Sequence, residues 1–144
     1  MTITTRDFGT LELDENEIVT FRTPIYGFEW LTRYVLLSDD EAGAGLMWLQ
    51  STESPDVCFV LLDPEEIGLA YAPELPAEAL ATLGAQDGLA IRLVAVIPDD
   101  FRNATVNLKS PIVINPQNKT AAQVILEADF PIRMRLFDEE GTPC

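Results

Sequence analysis

Short apolar segments rich in β-branched residues recur along the whole chain, and clusters of turn-forming residues separate them. Examples are EIVTF, RYVLL, LMWLQ, VCFVLL and LAIRLVAVI, with pieces such as STESPD in between. Strands of this length and spacing are typical of an all-β sandwich or barrel. The sequence therefore predicts a fold built mainly from short β-strands.

One segment, PELPAEALATLGAQDG, has helical instead of alternating periodicity, because its leucines and alanines recur every three or four residues. Pro76 suits the first turn of a helix and Gly84 suits the residue just past its end. We therefore predict one short helix over about residues 76–83, lying across the sheet. A second helical turn is considered near residues 28–31.

A proline stands directly before the apolar run at residues 112–114, which belongs to a buried strand. Pro111 has no amide hydrogen and is tolerated at the start of a strand, on an edge or at a bulge. Lys109 close by is a usual guard of a sheet edge. We expect one strand to end and the next to begin around a corner at Pro111, as barrels and folded-over sheets require. Asn107 and Asn115 suit the bends, because asparagine side chains bond nearby backbone groups.

The last apolar segment, PIRMRLF, alternates apolar residues at 132, 134 and 136 with Arg133 and Arg135. A strand of period two would turn the apolar residues inward and both arginines outward. We interpret the arginines as surface residues that pair with nearby carboxylates, in preference to a binding site.

The charge balance is strongly acidic, with 24 acidic and 9 basic side chains and a formal net charge of −15. A nucleic-acid binder needs a cationic face to displace phosphate counterions, so we expect no direct nucleic-acid binding. The negative field would attract a basic protein partner and speed its arrival. Acidity of this size also keeps a chain soluble, and both interpretations stay open.

The chain contains no histidine, which removes the commonest general base, metal ligand and activator of a nucleophile. Its two cysteines, Cys58 inside an apolar run and Cys144 at the end, do not make a disulfide framework. The N-terminal segment MTITTRDFG has no apolar signal region, and no stretch reaches 18 apolar residues. We expect a cytoplasmic protein without a metal, a cofactor or membrane association.

Clusters of carboxylates are the remaining candidates for chemistry, and all of them lie in turns or in the tail. They fall at residues 39–41, 63–66, 99–100 and 138–140. No calcium loop, serine elbow, phosphate loop or dinucleotide fingerprint is present. We predict no catalytic residues and a binding protein. Two alternatives are a carboxylate-dependent hydrolase and a carbohydrate-binding β-module with Trp30 and Trp48 as stacking platforms.

Three segments, read in order, resemble a known family. They are FRTPIYGFEW at residues 21–30, LMWLQSTESPDVCFVLLDP at 46–64 and VNLKSPIVINPQNKTAAQVIL at 106–126. In sequence and spacing they resemble the flagellar assembly factor FliW family. One departure is Tyr26, which stands where that family commonly has a proline before Gly-Phe-Glu.

The resemblance implies a mainly β fold, a small antiparallel β-barrel-like domain with one short helix. We expect a single domain over residues 1–137 and a disordered acidic tail at 138–144. The implied function is regulatory and not catalytic. Members of the family bind flagellin in the cytoplasm, and they bind CsrA, a small RNA-binding repressor of flagellin mRNA. The two compete, so secretion of flagellin frees the factor to capture CsrA. We expect the chain to be a monomer.

The candidate partner-binding residues form three groups. The first group is an aromatic cluster of Tyr26, Phe28 and Trp30, with Glu29 among them. It could anchor a partner, because aromatic side chains dominate interface energies. Alternatively, these aromatic residues could simply be core. Two acidic pairs, Glu65 with Glu66 and Asp99 with Asp100, are candidates for steering CsrA. The third group is Asn107, Pro111 and Asn115, which either hold the corner or border an edge that receives a partner strand.

Overall fold

The computed structural model describes residues 1–38, 45–85 and 87–137. The acidic cluster at 39–41, the tail 138–144 predicted to be disordered, and Cys144 lie outside the described residues. A helix with the length and apolar character needed to cross a membrane does not occur in the described ranges.

Within these ranges the chain forms eleven strands, one α-helix and two short 3-10 turns. The strands are β1 (Thr2–Thr5), β2 (Gly9–Glu12), β3 (Ile18–Thr23), β4 (Arg33–Ser38), β5 (Leu46–Ser51), β6 (Cys58–Leu62), β7 (Ala90–Val96), β8 (Thr105–Val106), β9 (Ile112–Asn115), β10 (Thr120–Gln123) and β11 (Met134–Arg135). The helix α1 spans Ala77–Leu83, and the 3-10 turns span Glu15–Glu17 and Phe101–Asn103.

Seven of the strands close into a barrel. They run in the order β7, β6, β5, β4, β3, β10, β9, and β9 pairs back onto β7. Every pair is antiparallel except β3 with β10, which is parallel. The predicted mainly β, barrel-like fold is confirmed. The parallel pair differs from the antiparallel arrangement expected from the resemblance. It is possible because β3 and β10 are far apart in the chain and are not joined by a hairpin.

The barrel encloses one core and is covered outside by three further apolar clusters. The inner core contains Phe21, Tyr34, Leu49, Leu61 and Ile112, which come from five different strands. The hairpin of β1 and β2 covers one outer face, helix α1 covers another, and the segment around β8 and β11 covers a third. The strand at residues 112–114 is buried on both of its faces as a result, as its apolar run predicts.

The predicted helix is confirmed to within one residue. Pro76 stands at the N-cap position, and Gly84 ends the helix with a φ of 71°, in the left-handed region that favours glycine. The second helical turn considered at residues 28–31 is present only as an isolated hydrogen-bonded turn and not as a helix. The amide of Phe28 donates to the Ile25 carbonyl and that of Leu31 to the Phe28 carbonyl, so two separate turns follow each other.

The corner around Pro111 is confirmed, and its geometry is a bulge. Strands β8 and β9 pair with the same edge of β7, the Asn107 amide still donates to the Val94 carbonyl of β7 at 3.0 Å, and residues 108–111 loop out before β9 begins. The Asn107 side-chain oxygen accepts the amides of Lys109 and Ser110 at 3.0 Å each. Lys109 is not an edge guard, because its ammonium group donates to the carbonyl of Ala128 at 2.8 Å.

The predicted last strand is shorter than its alternation suggests. Only Met134–Arg135 pairs with β8, and Ile132 is exposed instead of buried. Alternation alone is insufficient here, because residue 132 precedes the two-residue ladder that would fix its face. Arg133 and Arg135 are exposed as predicted, but the Arg135 guanidinium donates to the carbonyl of Arg102 at 3.0 Å.

We expect Asn115→Ala to lower the free energy of unfolding by about 1–2 kcal/mol, measured by urea denaturation. Asn115 is buried, its amide nitrogen donates to the Leu83 carbonyl at 2.8 Å, and its oxygen accepts the Gln117 amide at 3.1 Å. The control is Asn16→Ala at an exposed position, expected to change stability by less than about 0.5 kcal/mol. Equal effects of the two substitutions would contradict the expectation.

Candidate partner-binding surfaces

The connection between β3 and β4, residues 24–32, presents two large aromatic side chains to solvent; we call it the aromatic loop. Tyr26 is 80% exposed and Trp30 is 68% exposed. Phe28 lies between them in sequence, is half-buried, and places its ring 5.7 Å from that of Trp30. The alternative that these aromatics are core therefore applies to Phe28 and not to Tyr26 or Trp30.

Phe28 connects the aromatic loop to the interior of the barrel. Its ring meets Phe59 edge-on with centroids 5.1 Å apart, Phe59 lies 6.2 Å from Tyr34, and Tyr34 lies 5.0 Å from Phe21. Tyr34 is fully buried, and burial, with a smaller contribution from the Glu53 charge, raises the pKa of its hydroxyl to about 12. A continuous series of aromatic contacts thus runs from the surface at Trp30 into the core.

Three polar side chains hold the backbone of the aromatic loop. Gln123 on β10 accepts the amide of Tyr26 at 2.7 Å. Glu29 accepts the amide of Gly27 at 3.0 Å, where φ is +90°, and bonds from the Gly27 amide and from its own amide lower the pKa of the Glu29 carboxyl. Glu53 accepts two successive amides, at residues 32 and 33, at 3.0 Å each. The loop is fixed although tyrosine replaces the proline expected from the resemblance.

The two acidic pairs lie on two separate exposed segments of the chain. Glu65 and Glu66 belong to the turn after β6, and Asp99 and Asp100 precede the 3-10 turn at Phe101–Asn103. The Asp100 carboxylate accepts the amide of Arg102 at 3.1 Å and pairs with its guanidinium at 2.9 Å. These bonds lower the pKa of the Asp100 carboxyl, the side-chain bond from Arg102 contributing most.

The structure also contains an apolar cleft that sequence reasoning missed, and its lining includes Ile67 and Phe101. We call it the apolar cleft; it has a volume of about 410 Å³ and is lined by Leu62, Ile67, Gly68, Leu69, Ile97, Phe101, Ala104, Met134, Arg135, Leu136 and Phe137. In the sequence, each acidic pair directly precedes a large apolar residue, Ile67 after Glu66 and Phe101 after Asp100.

The third predicted group lies mainly inside the fold. Pro111 and Asn115 are buried and Asn107 is half-buried. The Pro111 carbonyl accepts the amide of Val124 at 3.0 Å, and both asparagine side chains bond backbone groups as described above. These bonds support a structural role at the corner, and contact of these residues with a partner stays a prediction.

The structure does not bring the three groups together. The aromatic loop adjoins β10 through Gln123, whereas the acidic pairs directly precede Ile67 and Phe101 in the chain. These two residues line the apolar cleft, which is formed by the turn after β6, the segment after β7, and β11. No residue lining the cleft belongs to the loop. The described part of the molecule therefore offers two separate candidate surfaces.

Other chemical groups offer little for a reaction. Among the residues the structure describes, no three His, Cys, Asp or Glu side chains converge in a way that could hold a metal ion. Burial raises the pKa of the Cys58 thiol, which disfavours the reactive thiolate. Trp48, a candidate stacking platform, is half-buried and packs edge-on against Phe8 at 5.6 Å.

The comparison of this chain with known protein families agrees with the fold. The family model described as FliW protein matches residues 2–136. The chain belongs to the FliW family. The match includes the whole aromatic loop, both acidic pairs and all of the apolar cleft except Phe137.

FliW relatives are similar to this chain over nearly their full length. A flagellar assembly factor FliW from Natranaerobius thermophilus is 36% identical, covering 99% of this chain and 96% of the relative. One from Caldicellulosiruptor bescii is 37% identical, covering 94% and 90%. A crystal structure of the flagellar assembly factor FliW superposes with a TM-score of 0.88 at 31% identity, covering 97% of this chain and 99% of that one.

We expect Tyr26→Ala and Trp30→Ala each to change the free energy of unfolding by less than about 0.5 kcal/mol, because both side chains are exposed. Phe28→Ala should cost about 1–3 kcal/mol, because it removes packing against Phe59. Chemical denaturation of the three variants measures the difference. If all three substitutions lowered the free energy of unfolding by about the same 1–3 kcal/mol, Tyr26 and Trp30 would be part of the core.

Proposed function

We propose that this protein is a non-catalytic regulator that binds flagellin and a CsrA-type RNA-binding repressor of flagellin mRNA. By doing so it couples flagellin synthesis to flagellar assembly, in the cytoplasm and as a monomer. The FliW relatives are named flagellar assembly factors, which supports a role in flagellar assembly. The observation that carries the proposal is a fixed loop that exposes Tyr26 and Trp30 on a strongly acidic chain.

The aromatic loop suits flagellin. Large exposed aromatic side chains are the residues that most often dominate the energy of an interface. Tyr26 and Trp30 stand on a backbone already held by Gln123, Glu29 and Glu53, so little ordering remains to oppose binding. An unassembled flagellin monomer offers amphipathic segments whose apolar faces would cover such a pair of rings.

The charge of the chain suits an RNA-binding repressor. A protein that binds RNA must be basic on its binding face, and the net charge of −15 presents a complementary potential. Glu65, Glu66 and Asp99 are exposed on turns and make no ion pair with another described residue. These carboxylates can therefore steer a basic partner toward the surface.

The regulation follows from competition between the two partners. While flagellin accumulates, it occupies the factor and the repressor stays on its RNA. Export of flagellin frees the factor, which then captures the repressor and allows translation to rise. A carboxylate-dependent hydrolase and a carbohydrate-binding module are weaker alternatives, because the acidic pairs sit on open turns and Trp48 packs against Phe8.

We expect the double variant Tyr26→Ala/Trp30→Ala to bind flagellin at least about 30-fold more weakly than the wild type, measured by calorimetric titration. The control is Ile125→Ala, which removes another exposed apolar side chain and should leave the affinity unchanged. Titration of flagellin into the factor–repressor complex should release the repressor. Failure of the wild type to bind either protein at micromolar concentration would refute the proposed function.

We expect Glu65→Gln/Glu66→Gln to slow association with the repressor several-fold at low salt, with little change at high salt, because screening removes the steering. The control is Glu15→Gln/Glu17→Gln, which removes the same amount of charge from the exposed 3-10 turn after β2. Stopped-flow measurements at several salt concentrations give the rates. An association rate that does not depend on salt would argue against steering.

A further inference from the structure

The apolar cleft has the size and lining of a small-molecule site. Its volume of about 410 Å³ lies within the range of roughly 300–1,000 Å³ that is usual for ligand pockets. A dry cavity of about 150 Å³ is enough to hold benzene, so the cleft has room for an alkyl chain or a ring system about twice that size. Ile97 and Phe101 line the cleft and are 47% and 56% exposed. A ligand that covered them would remove this apolar surface from water.

The fold holds the walls of the apolar cleft in place. The Leu136 amide donates to the Ala104 carbonyl at 3.1 Å, and this bond joins two of the segments that line the cleft. The rings of Phe101 and Phe137 meet edge-on, with centroids 5.3 Å apart. Leu62 belongs to a buried core cluster, so the part of the lining that it forms is set by the core. A ligand would therefore meet a surface that is already shaped.

Arg135 is the one charged side chain among the described residues that line the apolar cleft. Its guanidinium donates to the Arg102 carbonyl at 3.0 Å, and it forms no ion pair with another residue in the described ranges. A guanidinium carries five N–H donors in a planar fork that matches the two oxygens of a carboxylate. Donors of Arg135 therefore remain for an acidic group at the cleft.

The Asp100 carboxylate, which interacts with Arg135, is already paired. Asp100 is close enough to Arg135 for an electrostatic interaction, but its carboxylate pairs with the Arg102 guanidinium at 2.9 Å. Exposed charges beyond the screening length, about 8 Å at physiological ionic strength, act only weakly on a bound anion. The ion pair of Asp100 with Arg102 thus leaves Arg135 as the charge that decides which headgroup the cleft accepts.

We propose that the apolar cleft binds an amphipathic organic anion, a small molecule with a carboxylate at one end and an alkyl or aryl body. The body covers Ile97 and Phe101, and burial of apolar surface supplies most of the affinity. The carboxylate accepts hydrogen bonds from the Arg135 guanidinium and stays in contact with water, because Arg135 is exposed. This site goes beyond the proposed function, since its ligand is a small molecule instead of a protein.

Other occupants fit less well. A cationic amphipath would place its headgroup against the Arg135 guanidinium, and an uncharged one would gain nothing from that charge. A second copy of the chain would bring a net charge of −15, and like charges across an interface are unfavourable. Residues 138–144, DEEGTPC, carry three carboxylates but no large apolar side chain that could fill the cleft.

The test compares three probes that share one alkyl chain and differ in the headgroup: octanoate, 1-octanol and octylamine. Each is titrated at neutral pH into the full-length, isotope-labelled protein and followed by NMR. Shifts of the amides at Ile67, Ile97 and Phe101 report binding at the cleft and ignore contacts elsewhere. We expect octanoate to bind there at least about fivefold more tightly than octylamine, with octanol between them.

Substitutions assign the headgroup and the body of the ligand to their contacts. Arg135→Gln should reduce the preference for octanoate over octylamine to less than about twofold. The control Arg133→Gln removes the same charge from an exposed arginine outside the cleft lining and should preserve the preference. Ile97→Ser/Phe101→Ser should abolish the cleft shifts with all three probes. The unfolding temperature of each variant is measured alongside, and the exposure of the substituted side chains predicts little change.

Several results would overturn the proposal. Octylamine binding at the cleft as tightly as octanoate would do so, as would equal effects of Arg135→Gln and Arg133→Gln, because the preference would then reflect overall charge. A dimer in sedimentation of the protein alone that Ile97→Ser/Phe101→Ser abolishes would assign the cleft to a second copy. A nuclear Overhauser contact between residues 141–144 and Ile97 in the free protein would assign it to the tail. Neither flagellin nor the repressor enters the test, so its outcome is independent of the proposed function.

Discussion

The hydrogen bonding of β7 to β9 is the contact on which the rest of the fold depends. Ala90, Ile91 and Arg92 pair with Ile114, Val113 and Ile112, and this short ladder closes seven strands into a barrel. An open sheet would leave two edges free to pair with other chains. The bulge at residues 108–111 lets the same edge of β7 pair with β8 as well as with β9. Both candidate surfaces are built on strands of this closed frame.

Much of the fold could be predicted from the sequence, because local signals and global packing agree there. The helix has a proline before it and a glycine after it, and the strand at 112–114 is apolar on both faces because both are covered. The parallel pairing of β3 with β10 has no such local signal. Alternation predicts the wrong face for Ile132, because a period of two fixes the face of a residue only where the ladder continues. The role of Lys109 also has no local signal, because the carbonyls that its ammonium group contacts lie 18 and 19 residues further along the chain.

Part of the candidate site could also be predicted from local signals in the sequence. The residue types that can anchor or steer a partner are visible in the sequence, and the structure places Tyr26, Trp30 and both acidic pairs on the surface. The exposure of Tyr26 and Trp30 could not be predicted, because an aromatic residue between two strands fits a core equally well. The apolar cleft could not be predicted either. Its lining comes from three segments, around residues 62–69, 97–104 and 134–137, that only the folded barrel brings together.

A series of aromatic rings begins at Trp30 and passes through Phe28 to Phe59. Within this one short connection, some rings pack into the core and others are exposed to a partner. Phe28 packs against the interior, while the side chains of Tyr26 and Trp30 are exposed. Natural variation could thus exchange the outer rings and alter which protein is recognised, while the inner ring preserves the scaffold. Recognition could diversify among relatives at a loop of this kind without any loss in the robustness of folding.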